Sequence, residues 1–258
     1  MSAMNGARWS GGKAMWAVCG MAALILVSTA MAHRAHGAAA RTAAQLVRTE
    51  VGQFGVQHIS TLRPGAPDSA RIGPLFGSDG HHCTASVVGQ DLILTAAHCT
   101  PSGKDFVPGY RAGRSPYGWW HVISVIESPR WNDDDDEDYD VAFATVAPHG
   151  REHLGDIVGY NDLAFSPGFG RPVTVTGYPT DESHAVFGQA RTRRYNSHQM
   201  QVRIPGLSGG TSGGPWVTPD GAVIGVIGGH LQGGDDDDVS YSVYFDDRVR
   251  SLYDDAAG

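Results

Sequence analysis

The chain is short of several things. Three cysteines occur in 258 residues, at 19, 83 and 99, which excludes a zinc ribbon and a disulfide-dense miniature scaffold. Charged residues make up 18%, too few for a disordered chain. Basic residues are outnumbered, 19 against 27 acidic ones, so the basic face that a nucleic-acid binder needs is missing. Helical periodicity is scarce: no run exceeds about ten residues, apart from candidates at 39–51 and 247–254. The strand-like runs do not alternate with helices, which argues against a parallel α/β sheet. Glycine, by contrast, is abundant at 35 residues, with 14 prolines beside it and 41% hydrophobic residues. That composition suits many turns between short strands around a sizeable core.

Residues 1–32 read as a signal peptide. Arg8 and Lys13 are their only charges, 14–32 is uncharged and mostly apolar, and the stretch ends in Ala30-Met31-Ala32, a small-x-small cleavage pattern. The alternative is an uncleaved anchor; the alanine content and the cleavage pattern favour removal. Cleavage takes the formal charge from −8 to −10 and removes Cys19. An exported chain then keeps an even pair, Cys83 and Cys99, for which one disulfide is expected over two buried thiols. A secreted product without lasting membrane association follows. Residues 33–71 read as a propeptide or N-terminal extension.

Regular patterning begins at Ile72. Short runs rich in Val, Ile, Thr and aromatics lie at 83–88 (CTASVV), 92–96 (LILTA), 119–126 (WWHVISVI), 141–146 (VAFATV), 172–178 (PVTVTGY), 200–204 (MQVRI), 222–227 (AVIGVI) and 239–245 (VSYSVYF). They predict the strands of a barrel or sandwich.

Three segments carry chemistry. The strongest is 207–216, LSGGTSGGPW. Ser212 stands among four glycines, which let backbone N–H groups approach a substrate oxygen. A flexible linker would not run straight into Pro215 and Trp216. The second is 94–99, LTAAHC, which sets His98 at the end of an apolar run, where a general base would be held in place. The third is 138–146, DYDVAFATV. Asp140 could orient the imidazole, with Asp138, on the same side of an extended chain, as its competitor.

The order His98, Asp140, Ser212, with TAAHC, DYDVAF and GTSGGPW around them, resembles the chymotrypsin-fold serine peptidases. It looks most like their secreted bacterial branch, which includes glutamyl-endopeptidase-like enzymes. The resemblance spans roughly residues 72–253 and implies an all-β fold. Two antiparallel six-stranded β-barrels, 72–150 and 151–258, would pack side by side with a short C-terminal helix. It implies Ser212 as nucleophile, His98 as general base, Asp140 as orienting carboxylate, and the N–H groups of Gly210 and Ser212 as oxyanion hole. Cys83 and Cys99 match the pair that braces the histidine loop, a closure worth roughly 3 kcal/mol on the chain-entropy model. Gly206, Leu207, Ile227, Gly228, Gly229 and His230 are the expected substrate-binding residues, with Gly228 bonding an extended peptide. The implied activity is endopeptidase hydrolysis of protein or peptide substrates by a monomer that needs no cofactor or metal. Rival readings are a protease-like binder of peptide or cell wall, and an esterase with the same triad.

Two positions depart from the better-known animal enzymes. Thr211 precedes the serine where they carry Asp, so an inserted N-terminal ammonium would have no partner, and control by such insertion is not expected. Gly206 leaves the pocket base uncharged, which predicts a preference for an apolar or small residue. The four Asp of the loop 231–239 beside the pocket would favour a basic one by long-range attraction, but an exposed loop is screened by salt while a pocket floor is not. In the glutamyl-specific branch a histidine lies where this chain has Ile227, and His230 comes three residues later.

Overall fold

The computed structural model describes residues 59–62, 69–236 and 238–258. The signal segment, the helical candidate at 39–51 and most of 33–71 lie outside the described residues. In chain order the first strands are β1 (Ser60–Thr61), β2 (Ile72–Gly77), β3 (Gly80–Val87), β4 (Leu92–Thr95), β5 (Asp105–Phe106), β6 (Trp120–Glu127) and β7 (Ala142–Val146). The second series is β8 (Pro172–Gly177), β9 (Val186–Arg191), β10 (Arg193–Arg194), β11 (Gln199–Arg203), β12 (Pro215–Val217), β13 (Val223–Val226) and β14 (Val239–Val243). The helices are α1 (Pro129–Asp134), α2 (Leu154–Val158) and α3 (Asp247–Ala257). Among the described residues no helix is long and apolar enough to cross a membrane.

The fold is all-β, as expected. The first half closes into a six-stranded antiparallel barrel in the order β2-β3-β4-β7-β6-β5. Strand β7 shows why: AFATV is buried at four of its five positions, so it must be covered on both faces. The barrel interior holds Leu75, Val87, Ile93, Phe106, Trp120 and Val146.

The second half is built differently from one closed ladder. Among the described residues its strands form a five-stranded sheet, β1-β9-β8-β12-β13, and a three-stranded sheet, β10-β11-β14. The two sheets meet where β13 ends. There the side chain of Ser242 accepts the N–H of Val226 at 2.9 Å, and Gly228 N–H donates to Tyr241 O at 3.0 Å. A side chain thus takes a bond that a backbone carbonyl would otherwise accept.

The halves are joined by a dry seam. Leu94 and Phe143 from the first pack with Val217, Val226, Val243 and Phe245 from the second. Burying each such side chain is worth roughly 1.5–3 kcal/mol. Helix α3 closes the seam, capped by Asp246, whose side chain accepts the N–H of Arg248. Its apolar positions Val249, Leu252, Tyr253 and Ala256 share one face and cover the seam, as their three- and four-residue spacing requires.

Part of the expected extension belongs to the second sheet. Ser60 and Thr61 pair with Phe187 and Val186 as an edge strand. Leu62 N–H continues the ladder to Ala185 O at 2.9 Å, and Ile59 packs on the second-half core.

Candidate active site

His98 sits in a single 3₁₀ turn, Ala97–Cys99, directly after β4. The turn is fixed covalently, because Cys99 is bonded to Cys83 on β3, 16 residues away. It is also fixed by Asp140, whose Oδ1 accepts the backbone N–H of His98 at 2.9 Å. Asp140 Oδ2 meets His98 Nδ1 at 2.7 Å and accepts the N–H of Gly229 at 2.8 Å. Asp140 is fully buried, and three hydrogen bonds satisfy a carboxylate that would otherwise be costly there.

Asp138 goes elsewhere. A 3₁₀ turn at Glu137–Tyr139 replaces the extended path on which the two aspartates would share a side. Asp138 Oδ1 accepts from Gln199 Nε2 at 2.6 Å instead. Glu137 Oε1 accepts the N–H of Leu231 at 2.7 Å, and Glu137 Oε2 lies 3.2 Å from His230 Nδ1.

Ser212 is brought to the same place by close packing. A Cβ at Gly213 would lie 2.1 Å from Thr95 Oγ1 and 3.0 Å from Ala96 N, so only glycine lets the serine loop meet the strand that leads to His98. Thr84 N–H, next to the disulfide, donates to Ser212 O at 2.7 Å. The ring of His98 lies within 4.8 Å of both sulfurs. Those sulfurs are bonded to each other, so the cluster offers no thiolate ligands.

The serine loop has an alternating pattern of bonded and free N–H groups. Thr211 N–H donates to Ser208 O, Gly213 N–H to Ile227 O and Gly214 N–H to Thr211 O. The N–H groups of Gly210 and Ser212 have no acceptor among the described residues. Gly210 adopts φ +96°, a conformation open to glycine and strained for other residues. Thr211 is buried, and its hydroxyl is satisfied by Ser208 O at 2.7 Å.

With this geometry in place, comparison with known proteins is informative. The Trypsin family profile matches residues 68–249. This chain belongs to the trypsin family. It is a serine-type peptidase. Similar solved structures include the protease Anisep from Arthrobacter nicotinovorans, at 22% identity and TM-score 0.66, covering 77% of this chain and 99% of that one. A thermostable serine protease, AL20, from an extremophilic microorganism gives 24% and 0.65, covering 74% and 98%. A Glu endopeptidase gives 16% and 0.65, covering 79% and 99%. At these identities the likeness is one of fold. No curated protein matches the chain.

Within this trypsin-family fold a cavity of about 150 Å³ adjoins Ser212, roomy enough for a side chain and not only for water. Leu207, Ser208, Gly209, Thr211, Ile227, Gln232, Asp235 and Asp236 are among the residues that line it. Of the six expected substrate-binding residues, Leu207 and Ile227 are therefore at the cavity. The other four lie differently. A Cβ at Gly206 would meet Ile59 at 3.0 Å. Gly228 N–H is bonded to Tyr241 O, Gly229 N–H to Asp140, and His230 N–H to Gln199 Oε1 at 2.8 Å. A bond from these three to an extended peptide would have to use their carbonyl oxygens. The His230 ring packs against Tyr195 and Tyr241, away from the cavity lining.

Sequence reasoning set the acidic loop 231–239 beside the pocket and discounted it as exposed, whereas Asp235 and Asp236 line the cavity itself. It also missed Thr84. Its only sequence signal is a hydroxyl residue beside a cysteine in a mostly apolar run that also holds Ser86.

Proposed function

We propose that this trypsin-family peptidase is a secreted endopeptidase that works through an acyl-enzyme on Ser212. The twofold grip of Asp140 on His98 is the observation that carries the reading. With Nδ1 occupied by Asp140, the imidazole keeps Nε2 for the reaction. Ser212 Oγ attacks the peptide carbonyl carbon and its proton passes to Nε2. The N–H groups of Gly210 and Ser212 take the developing oxyanion. The intermediate collapses as Nε2 returns the proton to the leaving amine. Water, deprotonated by His98, then releases the acid. These steps use only the chain's own residues and no cofactor. A monomer acting on protein or peptide substrates suffices.

The cavity supports a basic residue on the acyl side of the scissile bond, against the expectation drawn from Gly206. Leu207 and Ile227 offer an apolar wall for the stem, while Asp235 and Asp236 offer carboxylates at the rim.

A fluorophosphonate probe, followed by peptide mapping, tests the proposal. Labelling at Ser212 together with casein hydrolysis is expected. Folded protein that neither labels nor cleaves would be a binder. Labelling with turnover of small esters but not casein would mark an esterase. N-terminal sequencing of protein from the culture medium tests export and removal of residues 1–32.

A further inference from the structure

The unpaired N–H groups of Gly210 and Ser212 raise the question of what keeps them so. A peptide unit is planar and trans, so its C=O and N–H point in opposite directions. Anchoring a carbonyl therefore aims the following N–H. Every carbonyl from Ser208 to Ser212 is anchored. Ser208 O accepts from Thr211 N and Oγ1, Gly209 O from Thr180 N, and Thr211 O from Gly214 N. The remaining two are taken by one residue. Thr84 Oγ1 donates to Gly210 O at 3.0 Å, and Thr84 N–H donates to Ser212 O at 2.7 Å.

Thr84 is itself over-determined. It is fully buried. Its hydroxyl oxygen accepts the N–H of Tyr178 at 2.8 Å, and its carbonyl accepts from Thr95 Oγ1 at 2.8 Å. It follows Cys83 of the disulfide on a strand of the closed barrel. The loop of the second half is thus held from the rigid first half at two alternate peptide units. Thr211 provides no charge with which an inserted N-terminus could do this.

We propose that Thr84 is a positioning residue for the oxyanion hole. Its hydroxyl fixes the peptide unit after Gly210 and its N–H fixes the one after Ser212, so the Ser212 N–H is held by the units on both sides of it, while the Gly210 N–H lies just before the first of them and is aimed by Thr180 through Gly209 O. The inference rests on the acyl-enzyme reading.

The test compares Thr84→Val, which keeps the shape and removes the hydroxyl, with Thr84→Ser, which keeps the hydroxyl. Thr84→Val is expected to lower kcat by roughly 10²-fold, in the range lost when one oxyanion donor goes, with KM within about threefold. Affinity for a peptide boronate, which needs the oxyanion hole, should fall in parallel, while affinity for the product peptide holds. Thr84→Ser should restore kcat to within about threefold of the parent. Should Thr84→Val not fold, Thr84→Ala takes its place, because it removes the hydroxyl without setting a second methyl against Gly210 O and Tyr178 N. A lower Tm with unchanged kcat and boronate affinity would make Thr84 merely structural and overturn the proposal. Parent protein that labels at Ser212 beside fully active Val or Ala variants overturns the proposal alone. Folded parent protein that neither labels nor turns over overturns the acyl-enzyme reading and this inference with it.

Discussion

Asp140 holds His98 at two points, Oδ1 on the backbone N–H at 2.9 Å and Oδ2 on ring Nδ1 at 2.7 Å. The pair therefore fixes both where the imidazole sits and which ring nitrogen is left free, which is what the proposed proton transfer requires. Asp140→Asn should cut kcat about 10³- to 10⁴-fold, with the fold retained by circular dichroism. Asp138→Asn should change kcat less than about threefold, since its partner is Gln199 and an amide oxygen can accept the same bond. The reverse ranking would mean that the wrong carboxylate has been assigned.

Ser212→Ala and His98→Ala should each lower kcat by roughly 10⁴-fold or more. Because the two act as a unit, the double variant should be little worse than either one. Additive losses in steady-state assays would contradict a shared proton-transfer step.

The cavity carboxylates predict selectivity. Asp235→Asn and Asp236→Asn together should lower kcat/KM for Lys or Arg substrates about three- to tenfold relative to Leu substrates. The exposed carboxylates should count for less in high salt. Asparagine keeps the oxygen that Asp236 offers to the N–H groups of Asp238 and Val239, so the loop should survive. A parent enzyme that prefers Leu or Ala in a proteome-derived peptide library would restore the expectation drawn from Gly206.

The N-terminal boundary is testable by truncation. Starting points between Ala66 and Ile72 should behave alike, and all of them lack β1 and the contact of Ile59 with Gly206. Chains that start before Ile59 should be more stable by roughly 1–2 kcal/mol, from the apolar burial and edge bonds regained. Equal Tm values for both groups would show that the strand contributes nothing.

His153 offers a pH effect outside the active site. Its hydrogen bond to Asp91 raises its pKa above the ordinary histidine value, and exposure tempers the gain. The contribution is full below the unfolded value and fades as pH rises through the raised one. Tm should therefore fall slightly from pH 6 to above neutrality, and His153→Gln should flatten that part of the curve.

Much of this was legible in the sequence because β-branched runs must be covered and because TAAHC, DYDVAF and GTSGGPW each state a local need. All eight expected strands are present, seven of them within two residues at each end and β3 beginning three residues earlier, at Gly80. Strand β9 escaped because VFGQAR mixes polar and apolar residues, burying only Val186, Gly188 and Ala190. Asp138 and Asp140 could not be ranked by alternation, since the chain between them turns instead of extending. Thr84 was hidden for a different reason. Its hydroxyl partners are 94 and 126 residues away, and no local pattern encodes such a meeting. The second half forms two sheets where one closed ring was expected, and at the junction of β13 and β14 a side-chain hydroxyl, Ser242, takes the N–H of Val226.

The acidic segment that delivers Asp140 reaches across to the half that carries Ser212 through Glu137 to Leu231, Asp138 to Gln199 and Asp140 to Gly229. The two halves are consequently not interchangeable modules. A chimaera that took residues 151–258 from another peptidase would have to bring acceptable partners at 199, 229 and 231, or Asp140 would arrive at a seam that no longer fits it. Recombination between such enzymes should succeed when the crossover carries this acidic segment together with its partners and fail when it separates them, even though the hydrophobic seam is preserved.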